Sequence, residues 1–437
     1  MISIFTKTYK KSYEVINENK LFFLTILIGI CIRALWIMVV PTVPISDFLL
    51  YQEGAISMVL GKGFRIYGGY LTAYEPIGYP AFIALLYKIF GINIMVAKLA
   101  NLFMATASLI LVYFITKKAF DNKKTAIFAM LLVAILPLNI SYTSVLSTEI
   151  IFTVFFLFVF YMMLLPDKKI MTYVFLGIIL GILSLIKPYM MVFQLVILAI
   201  EVLDTRKLKK PLVNLLIITT FMVLTIAPWT IRNYLVFNKV IPISTNGGYN
   251  LYVNNNDYAT GGWQDPFKIY NSPLAKYKHS NDDFWDEVKV DEEGKKLAFA
   301  WIKSNPSKFV KVGFKKLNRM FVLSDKGFWA TNHLPNLKPF KYRDLLESVN
   351  RIIHYVTAFF ILLYFAILLT KLIKRRPIRT IHIIIILNFA FYFAITFVFE
   401  GQSRYLFPLW PVFMIIIIYV LCVIKGQINE GHKGISE

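Results

Sequence analysis

Long hydrophobic stretches alternate with short polar stretches along most of the chain. A helix needs about 20 consecutive apolar residues to cross the hydrocarbon core of a bilayer. Ten stretches are predicted to be transmembrane helices: residues 21–40, 93–116, 125–140, 148–165, 171–187, 189–203, 211–228, 350–370, 380–399 and 405–424. The first stretch is too long for a cleaved signal peptide and lacks the cleavage pattern of one. The pattern therefore predicts an all-α polytopic membrane protein with about ten transmembrane helices.

A further hydrophobic stretch, Tyr79–Phe90, is too short to span a bilayer and is predicted to be an interfacial helix. With Tyr79–Phe90 at the membrane surface, the loops on one side hold 21 Lys and Arg residues, whereas the short turns on the other side hold only Lys187 and Arg404. Because loops rich in Lys and Arg stay in the cytoplasm, both termini are predicted to be cytoplasmic. The interfacial helix then lies in an extracytoplasmic loop.

Three segments follow from this topology. Residues 1–228 form an N-terminal transmembrane module that includes the first outer loop, residues 41–92. Residues 229–349 form a mixed extracytoplasmic segment with 18 Lys and Arg residues against 12 Asp and Glu residues, and long loops cross membranes largely regardless of charge. Residues 350–437 supply the last three spans and a short cytoplasmic tail. The predicted location is the plasma membrane.

Composition excludes several other classes of protein. The chain is 57% hydrophobic and 16% charged, whereas a soluble domain is about a quarter charged. The net charge of +22 reflects basic residues between spans, so it indicates membrane topology rather than a nucleic-acid partner. Cys31 and Cys422 lie in apolar stretches without metal-ligand spacing. No phosphate-binding loop, H-E-x-x-H or paired C-x-x-C sequence occurs, so nucleotide hydrolysis and zinc chemistry lack support.

The candidate chemistry is concentrated on the predicted outer face. Ionisable residues at membrane depth or at the ends of spans are costly, so each is a functional candidate. The candidates on the predicted outer side are Asp47, Glu53, Arg65, Glu75, Glu149, Lys187, Arg232, Glu400 and Arg404. A carboxylate at the bilayer surface, such as Asp47 in the first outer loop, is well suited to deprotonating a hydroxyl beside a lipid-linked substrate.

The order of short motifs resembles that of the GT-C glycosyltransferases. The most similar branch comprises the aminoarabinose transferases of the ArnT type and the protein O-mannosyltransferases, glycosyltransferase family 39. The motifs are, in chain order, Asp47-x-x-x-Tyr51, the Gly61/Gly63 turn, Tyr74-Glu75-Pro76-Ile77-Gly78-Tyr79-Pro80, Ser147-Thr148-Glu149, Lys187-Pro188, Ala227-Pro228-Trp229-Thr230-Ile231-Arg232-Asn233-Tyr234, Gly248-Tyr249-Asn250-Leu251-Tyr252-Val253 and Glu400-x-x-x-Arg404-Tyr405-x-x-Pro408. Together they extend over nearly the whole chain.

This resemblance implies a membrane glycosyltransferase that takes a hexose or pentose from a polyprenyl-phosphate donor and acts on the outer face. The acceptor is a hydroxyl of a glycan, a lipid or a protein. A glycosyl phosphate already carries a good leaving group, so the reaction needs a base, cations for the departing phosphate and a dry, oriented site. A single displacement inverts the anomeric centre. No cofactor is indicated, and the use of a divalent metal is left open.

The resemblance and the chemistry together assign roles to individual residues. Asp47 is predicted to be the general base, and Glu75 a second acid that binds the acceptor or a metal. Lys187, Arg404 and Arg232 are predicted to bind the donor phosphate. The candidate site-lining residues are Tyr51, Tyr74, Glu149 and Glu400.

Each role has a structural alternative. Asp47 would otherwise cap a helix, and Lys187 would extend between spans toward the membrane surface. Arg404 would otherwise pair with Glu400 one helical turn away. In the same way, Arg232 would be an interfacial anchor, Glu149 a charge at a helix start and the tyrosines members of an aromatic belt.

Two other classes of protein remain open. A transporter or flippase of a polyprenyl-linked glycan would also need a basic, aromatic cavity. Such proteins often contain inverted repeats and interrupted helices at the midplane, and neither is apparent in the sequence. In a structural scaffold, the acidic outer loop would be incidental. Replacement of Asp47 discriminates between these classes, because a transporter needs no base there.

Overall fold

The computed structural model describes residues 2–66, 69–279, 284–322 and 342–426, with side chains from residue 19 onward. The predicted cytoplasmic tail beyond residue 426 lies outside this range. The N-terminal half contains the helices α1 (Ile2–Val39), α2 (Asp47–Val59), α3 (Gly78–Phe90), α4 (Ile94–Phe120), α5 (Lys123–Ala134), α6 (Pro137–Ser141), α7 (Glu149–Met163), α8 (Ile170–Ile186), α9 (Gln194–Thr205) and α10 (Lys209–Phe237). The strands β1 (Arg65–Ile66) and β2 (Tyr70–Leu71) pair antiparallel within the first loop.

The second half is also helical. It contains α11 (Asn246–Val253), α12 (Glu287–Ser304), α13 (Pro306–Val322), α14 (Arg343–Ile373), α15 (Thr380–Val398) and α16 (Trp410–Ile424). Four short 3-10 segments connect helices, at Tyr142–Ser144, Pro188–Val192, Ala275–Tyr277 and Ser403–Leu409. Helices α11 to α13 belong to the long segment that the sequence places outside the membrane.

The predicted class, an all-α polytopic membrane protein, is confirmed, but the number of spans differs from ten. In the described residues, seven helical stretches are long and apolar enough to cross a membrane: Asn19–Val39, Ile94–Phe120, Pro188–Thr205, Lys209–Phe237, Arg343–Ile373, Thr380–Val398 and Ser403–Ile424. A pair of helices bent by 59°, Lys123–Ala134 with Pro137–Ser144, makes an eighth. The stretches predicted at 148–165 and 171–187 form α7 and α8, which are shorter than a span requires.

The bent pair also corrects the expectation that no helix is interrupted. Proline at position 137 lacks the N–H that would continue the α5 hydrogen-bond pattern to the Val133 carbonyl, so the helix breaks there. Arg33 of α1, to which the sequence assigned no role, donates from Nη1 to the Ala134 carbonyl at 2.8 Å and from Nη2 to the Val133 carbonyl at 3.2 Å. Its buried guanidinium therefore supplies hydrogen-bond donors to the backbone carbonyls at the break, where no water is present within the membrane.

Close helix packing surrounds the two short helices. Gly177 and Gly181 of α8 face α10, and a Cβ at Gly177 would lie 2.6 Å from the Ile218 carbonyl oxygen. Small residues four positions apart allow two helix backbones to approach closely. Most of α7 is buried, including Phe152, Phe156 and Phe160. Helix α7 therefore lies inside the bundle, whereas α8 packs one face against α10 and exposes Ile170, Met171 and Phe175.

The first loop and the long second segment pack together as one layer. Glu287, at the start of α12, accepts hydrogen bonds from the Thr72 hydroxyl at 2.6 Å and from the Ala73 amide at 2.7 Å. Behind this contact, the ring of Tyr74 lies edge-on to Trp285, with centroids 5.0 Å apart. The contact fixes the loop immediately before Glu75.

Candidate active site

Asp47 and Arg404 form an ion pair although they lie 357 positions apart. Asp47 is the first residue of α2, and Arg404 lies in the 3-10 segment that leads into α16. Arg404 donates from Nη1 to Oδ2 of Asp47 at 2.9 Å. The Arg404 side chain is 14% exposed and that of Asp47 is 28% exposed. Ser46 precedes the helix with φ 52° and ψ −133°, an uncommon conformation for a non-glycine residue. Asp47 thus opens a helix and also carries a strong contact to a distant cation.

Glu149 and Lys187 form a second, more deeply buried ion pair. Lys187 donates from Nζ to Oε1 of Glu149 at 3.3 Å, and the side chains are 12% and 2% exposed, respectively. The Lys187 ammonium lies 5.6 Å from the centre of the Phe152 ring and 5.9 Å from that of Tyr405. Proline at 188 ends α8 at this point, so Lys187 lies at a break between helices. The structure therefore turns Lys187 inward to Glu149 instead of outward along the lipid.

Glu400 does not supply the partner of Arg404 in this structure. Its Oε2 accepts from the Tyr405 hydroxyl at 3.1 Å, and its Oε1 accepts from Gln402 Nε2 at 2.5 Å. The backbone between Glu400 and Arg404 is extended at Gln402, so the two charges are not one helical turn apart. The alternative pairing of Arg404 with Glu400 is therefore wrong, and Asp47 takes that place.

Tyr51 lies where the charged groups meet. Burial, together with the negative charges of Glu75, Asp47 and Glu149, raises the pKa of the Tyr51 phenol well above its usual range. The Tyr51 ring is edge-on to Tyr79, with centroids 5.5 Å apart. The structure thus brings three predicted carboxylates from separate parts of the sequence around one buried phenol.

Of the two remaining predicted residues, Arg232 contacts the loop that carries Glu75, and Tyr74 belongs to that loop. Arg232 donates from Nη1 to the Thr72 carbonyl at 2.8 Å, and its guanidinium lies 4.6 Å from the centre of the Trp229 ring. Tyr74 is buried and its ring lies 5.5 Å from that of Tyr249. Their present contacts support the loop, and their predicted ligand contacts stay predictions.

Two supporting residues were missed at the sequence level. Burial raises the pKa of Glu287 to about 7, and this carboxyl holds the loop before Glu75. Burial lowers the pKa of Lys316 to about 7, and its ammonium donates to the carbonyls of Phe397 and Val398 at 3.1 and 2.9 Å, just before Glu400. Both residues lie among many charged neighbours in the sequence, so composition alone could not single them out.

Metal binding was left open by the sequence. In the residues that the structure describes, no group of three or more His, Cys, Asp and Glu side chains has an arrangement that would hold a metal ion. The candidate site is instead built from paired charges and aromatic rings.

Comparisons with known proteins bear on the fold. A family described as dolichyl-phosphate-mannose-protein mannosyltransferase matches residues 74–231. The apo oligosaccharyltransferase of Archaeoglobus fulgidus superposes with a TM-score of 0.55 at 16% identity, over 94% of this chain and 51% of that chain. The chain has the GT-C glycosyltransferase fold. It spans about half the length of the archaeal enzyme.

Two further similar structures contain bound ligands. The oligosaccharyltransferase AglB from Archaeoglobus fulgidus, in complex with an inhibitory peptide and a dolichol-phosphate, has a TM-score of 0.53 at 14% identity, over 95% of this chain and 51% of that chain. ArnT from Cupriavidus metallidurans, bound to undecaprenyl phosphate, is more distant, with a TM-score of 0.39 at 12% identity over 92% of this chain and 78% of that chain. No curated protein sequence matches the chain.

Proposed function

We propose that this GT-C protein is a membrane glycosyltransferase that moves a hexose or pentose from a polyprenyl-phosphate donor to an acceptor hydroxyl. The observation that carries the proposal is the pair of ion pairs, Asp47–Arg404 and Glu149–Lys187. They bring two carboxylates and two cations together from distant segments, and this supports the proposal. The mannosyltransferase family match and the lipid phosphate bound by AglB support a lipid-linked donor.

Arg404 and Lys187 are proposed to hold the donor phosphate. Arg404 presents a planar guanidinium that binds two phosphate oxygens at once, whereas Lys187 acts as a point charge. Each cation now contacts a carboxylate, so a bound phosphate would compete with Asp47 and Glu149 for them. The negative charge on the departing phosphate grows toward the transition state, so these cations accelerate the reaction more than they strengthen ground-state binding.

Asp47 is proposed to be the general base. The Arg404 guanidinium competes with a proton for the Asp47 carboxylate, so a phosphate that engages Arg404 leaves Asp47 better able to accept one. The acceptor oxygen then forms a bond to the anomeric carbon while the bond from that carbon to the phosphate oxygen breaks. The acceptor proton moves to Asp47, and the electron pair leaves with the polyprenyl phosphate. A single displacement of this kind inverts the anomeric centre.

Glu75 is proposed to hold the acceptor. It is buried, its negative charge raises the pKa of Tyr51, and it follows the loop that Glu287 and Arg232 hold through Thr72. A fixed carboxylate at this position orients an acceptor hydroxyl without having to remove its proton. The acceptor class, a glycan, a lipid or a protein, is open to test. The site is proposed to face the extracytoplasmic side, with both termini in the cytoplasm.

A donor-panel assay tests this function. The purified protein is placed in liposomes that contain synthetic polyprenyl-phosphate hexoses and pentoses, and a cell-envelope extract supplies acceptors. The proposal predicts that one donor releases polyprenyl phosphate and that its sugar appears on an acceptor with inverted stereochemistry. Passage of an intact lipid-linked sugar across the bilayer, without release of polyprenyl phosphate, would instead assign the transporter or flippase class.

A further inference from the structure

Helix α13 packs one face against the end of a membrane span. Met320 Sδ accepts a hydrogen bond from the Thr396 hydroxyl at 3.2 Å, near the end of α15. Lys316 is fully buried on the same face and donates to the Phe397 carbonyl. Because α15 is long and apolar enough to cross the bilayer, α13 lies where that span leaves the hydrocarbon core. The helix itself is not one of the apolar spans.

A second face of α13 is apolar, and its first half is exposed. Val310, Phe314, Leu317 and Phe321 are spaced four, three and four residues apart, so they line one side of the helix. Val310 is 46% exposed and Phe314 is 63% exposed. Toward the end of the helix, Leu317 and Phe321 pack against the core that the spans share. This stripe therefore passes from an exposed surface into the packed bundle.

The third face of α13 is basic. Lys308, Lys311 and Lys315 are exposed and lie three and four residues apart, next to the apolar stripe. The sequence of α13 contains no acidic residue. Lys308 contacts Asp257 at 2.9 Å, whereas Lys311 and Lys315 form no ion pair within the part of the chain that the structure describes. Two exposed lysines thus border exposed apolar side chains at the end of a span.

The arrangement of faces favours lipid over a soluble protein as the cover of this helix. A soluble protein partner would not explain why the apolar stripe continues into the transmembrane core. An amphipathic helix with lysines beside its apolar face is typical of helices in the membrane interface, and its binding is strengthened by anionic lipids. Long lysine side chains at such a depth reach headgroups while their methylene stems cover apolar surface.

We propose that α13 lies in the bilayer interface and selects anionic phospholipid headgroups through Lys311 and Lys315, with Val310 and Phe314 in the acyl region. The backbone of Lys316 contacts Gly401, three residues before Arg404, so the lipid contact lies on the same membrane face as the candidate active site. This inference does not depend on the reaction that the protein catalyses.

Lipid selection is measured by native mass spectrometry. The full chain is exchanged into nanodiscs of equimolar phosphatidylglycerol and phosphatidylcholine, and the lipids retained on the ejected protein are counted. A lysine near an anionic surface contributes roughly a fivefold preference, so Lys311→Gln with Lys315→Gln should reduce the phosphatidylglycerol preference by about 25-fold. The matched control, Lys289→Gln with Lys296→Gln, removes the same amount of charge from α12 and should retain the phosphatidylglycerol preference. Unchanged selection in the α13 variant would overturn the proposal.

The depth of the helix gives a second measurement. Nitroxides attached to Phe314→Cys and Lys311→Cys, in a background without Cys31 and Cys422, are exposed to oxygen and to a water-soluble nickel chelate. The label at 314 should collide mainly with oxygen, and the label at 311 mainly with nickel. Equal nickel access at both positions would contradict burial in the interface. A dimer in native mass spectra that Phe314→Glu dissociates would assign this face to a second copy and overturn the lipid assignment.

Discussion

The Glu287→Gln variant tests how the second segment holds the first loop. Glu287 is buried at the start of α12, and its two carboxyl oxygens accept hydrogen bonds from Thr72 and Ala73. Glutamine has nearly the same shape and retains an acceptor oxygen for the Ala73 amide, but it does not titrate. The substitution therefore removes the ionisation and leaves most of the packing.

The magnitude follows from the pKa of Glu287. Burial raises that pKa from 4.5 to about 7, and the nearby Arg232 only partly offsets the effect. Between these two pH values the folded protein retains a proton that the unfolded chain has lost, so the stability falls as pH rises through the window. The loss is complete above about pH 7 and amounts to about 3 kcal/mol. Glu287→Gln should remove this loss, at a cost of about 1 kcal/mol for one rearranged hydrogen bond.

Thermal unfolding in nanodiscs, followed by tryptophan fluorescence between pH 5 and pH 8, provides the assay. Glu287→Gln should unfold at a higher temperature than the wild type at pH 8, whereas at pH 5 the wild type should be slightly more stable. Glu292→Gln on the same helix removes an exposed carboxylate and should keep the wild-type pH dependence. An identical pH dependence in Glu287→Gln and wild type would refute the assignment of this titration to Glu287.

Three further predictions address the donor site, the interrupted helix and the topology. Lys187→Ala and Arg404→Ala should each lower kcat/KM by roughly 10- to 1000-fold in the donor assay. Their effects should be non-additive if both residues contact one phosphate. Full activity of both variants would exclude the two residues from the donor site. Arg33→Leu removes the donor to two carbonyls at the break, so it should lower the unfolding free energy by roughly 2–5 kcal/mol and with it the apparent melting temperature. An unchanged melting temperature would contradict this role of Arg33. In a cysteine-free background, Lys62→Cys should react with an impermeant thiol reagent from outside whereas Lys118→Cys should not, and the reverse pattern would invert the topology.

The sequence alone located the charged residues of the candidate site but not their partners. Glu149, Lys187 and Arg404 stand out because each interrupts or borders a hydrophobic stretch. Their pairing depends on how distant helices pack, and no spacing in the sequence encodes it. The Glu400–Arg404 spacing is that of a helical turn, but the backbone between them is extended at Gln402, so the alternative pairing that the spacing suggested is wrong.

The length of a hydrophobic stretch was likewise an incomplete guide to whether it spans the membrane. The hydrophobic stretch 148–165 has 18 residues, whereas α7 (Glu149–Met163) has 15. The stretch 171–187 and α8 (Ile170–Ile186) both have 17 residues, which is short of a span. A helix that other helices enclose, as they do α7, remains apolar without having to cross the whole bilayer, so an apolar stretch does not by itself establish a span. The break before Pro137 had a visible signal, because a proline inside an apolar stretch ends or kinks a helix. No sequence signal indicated that Arg33 donates to the Val133 carbonyl at this break, 100 positions away.

Asp47→Asn in the donor-panel assay tests the central claim most directly, with Glu292→Gln as the control for charge removal. An asparagine cannot accept the acceptor proton, so release of polyprenyl phosphate should fall by roughly 10²–10⁴-fold. Arg404 would lose its competing carboxylate, so binding of polyprenyl phosphate should be retained or strengthened. The account predicts this separation of lost turnover from intact binding; near-normal turnover in Asp47→Asn would contradict it.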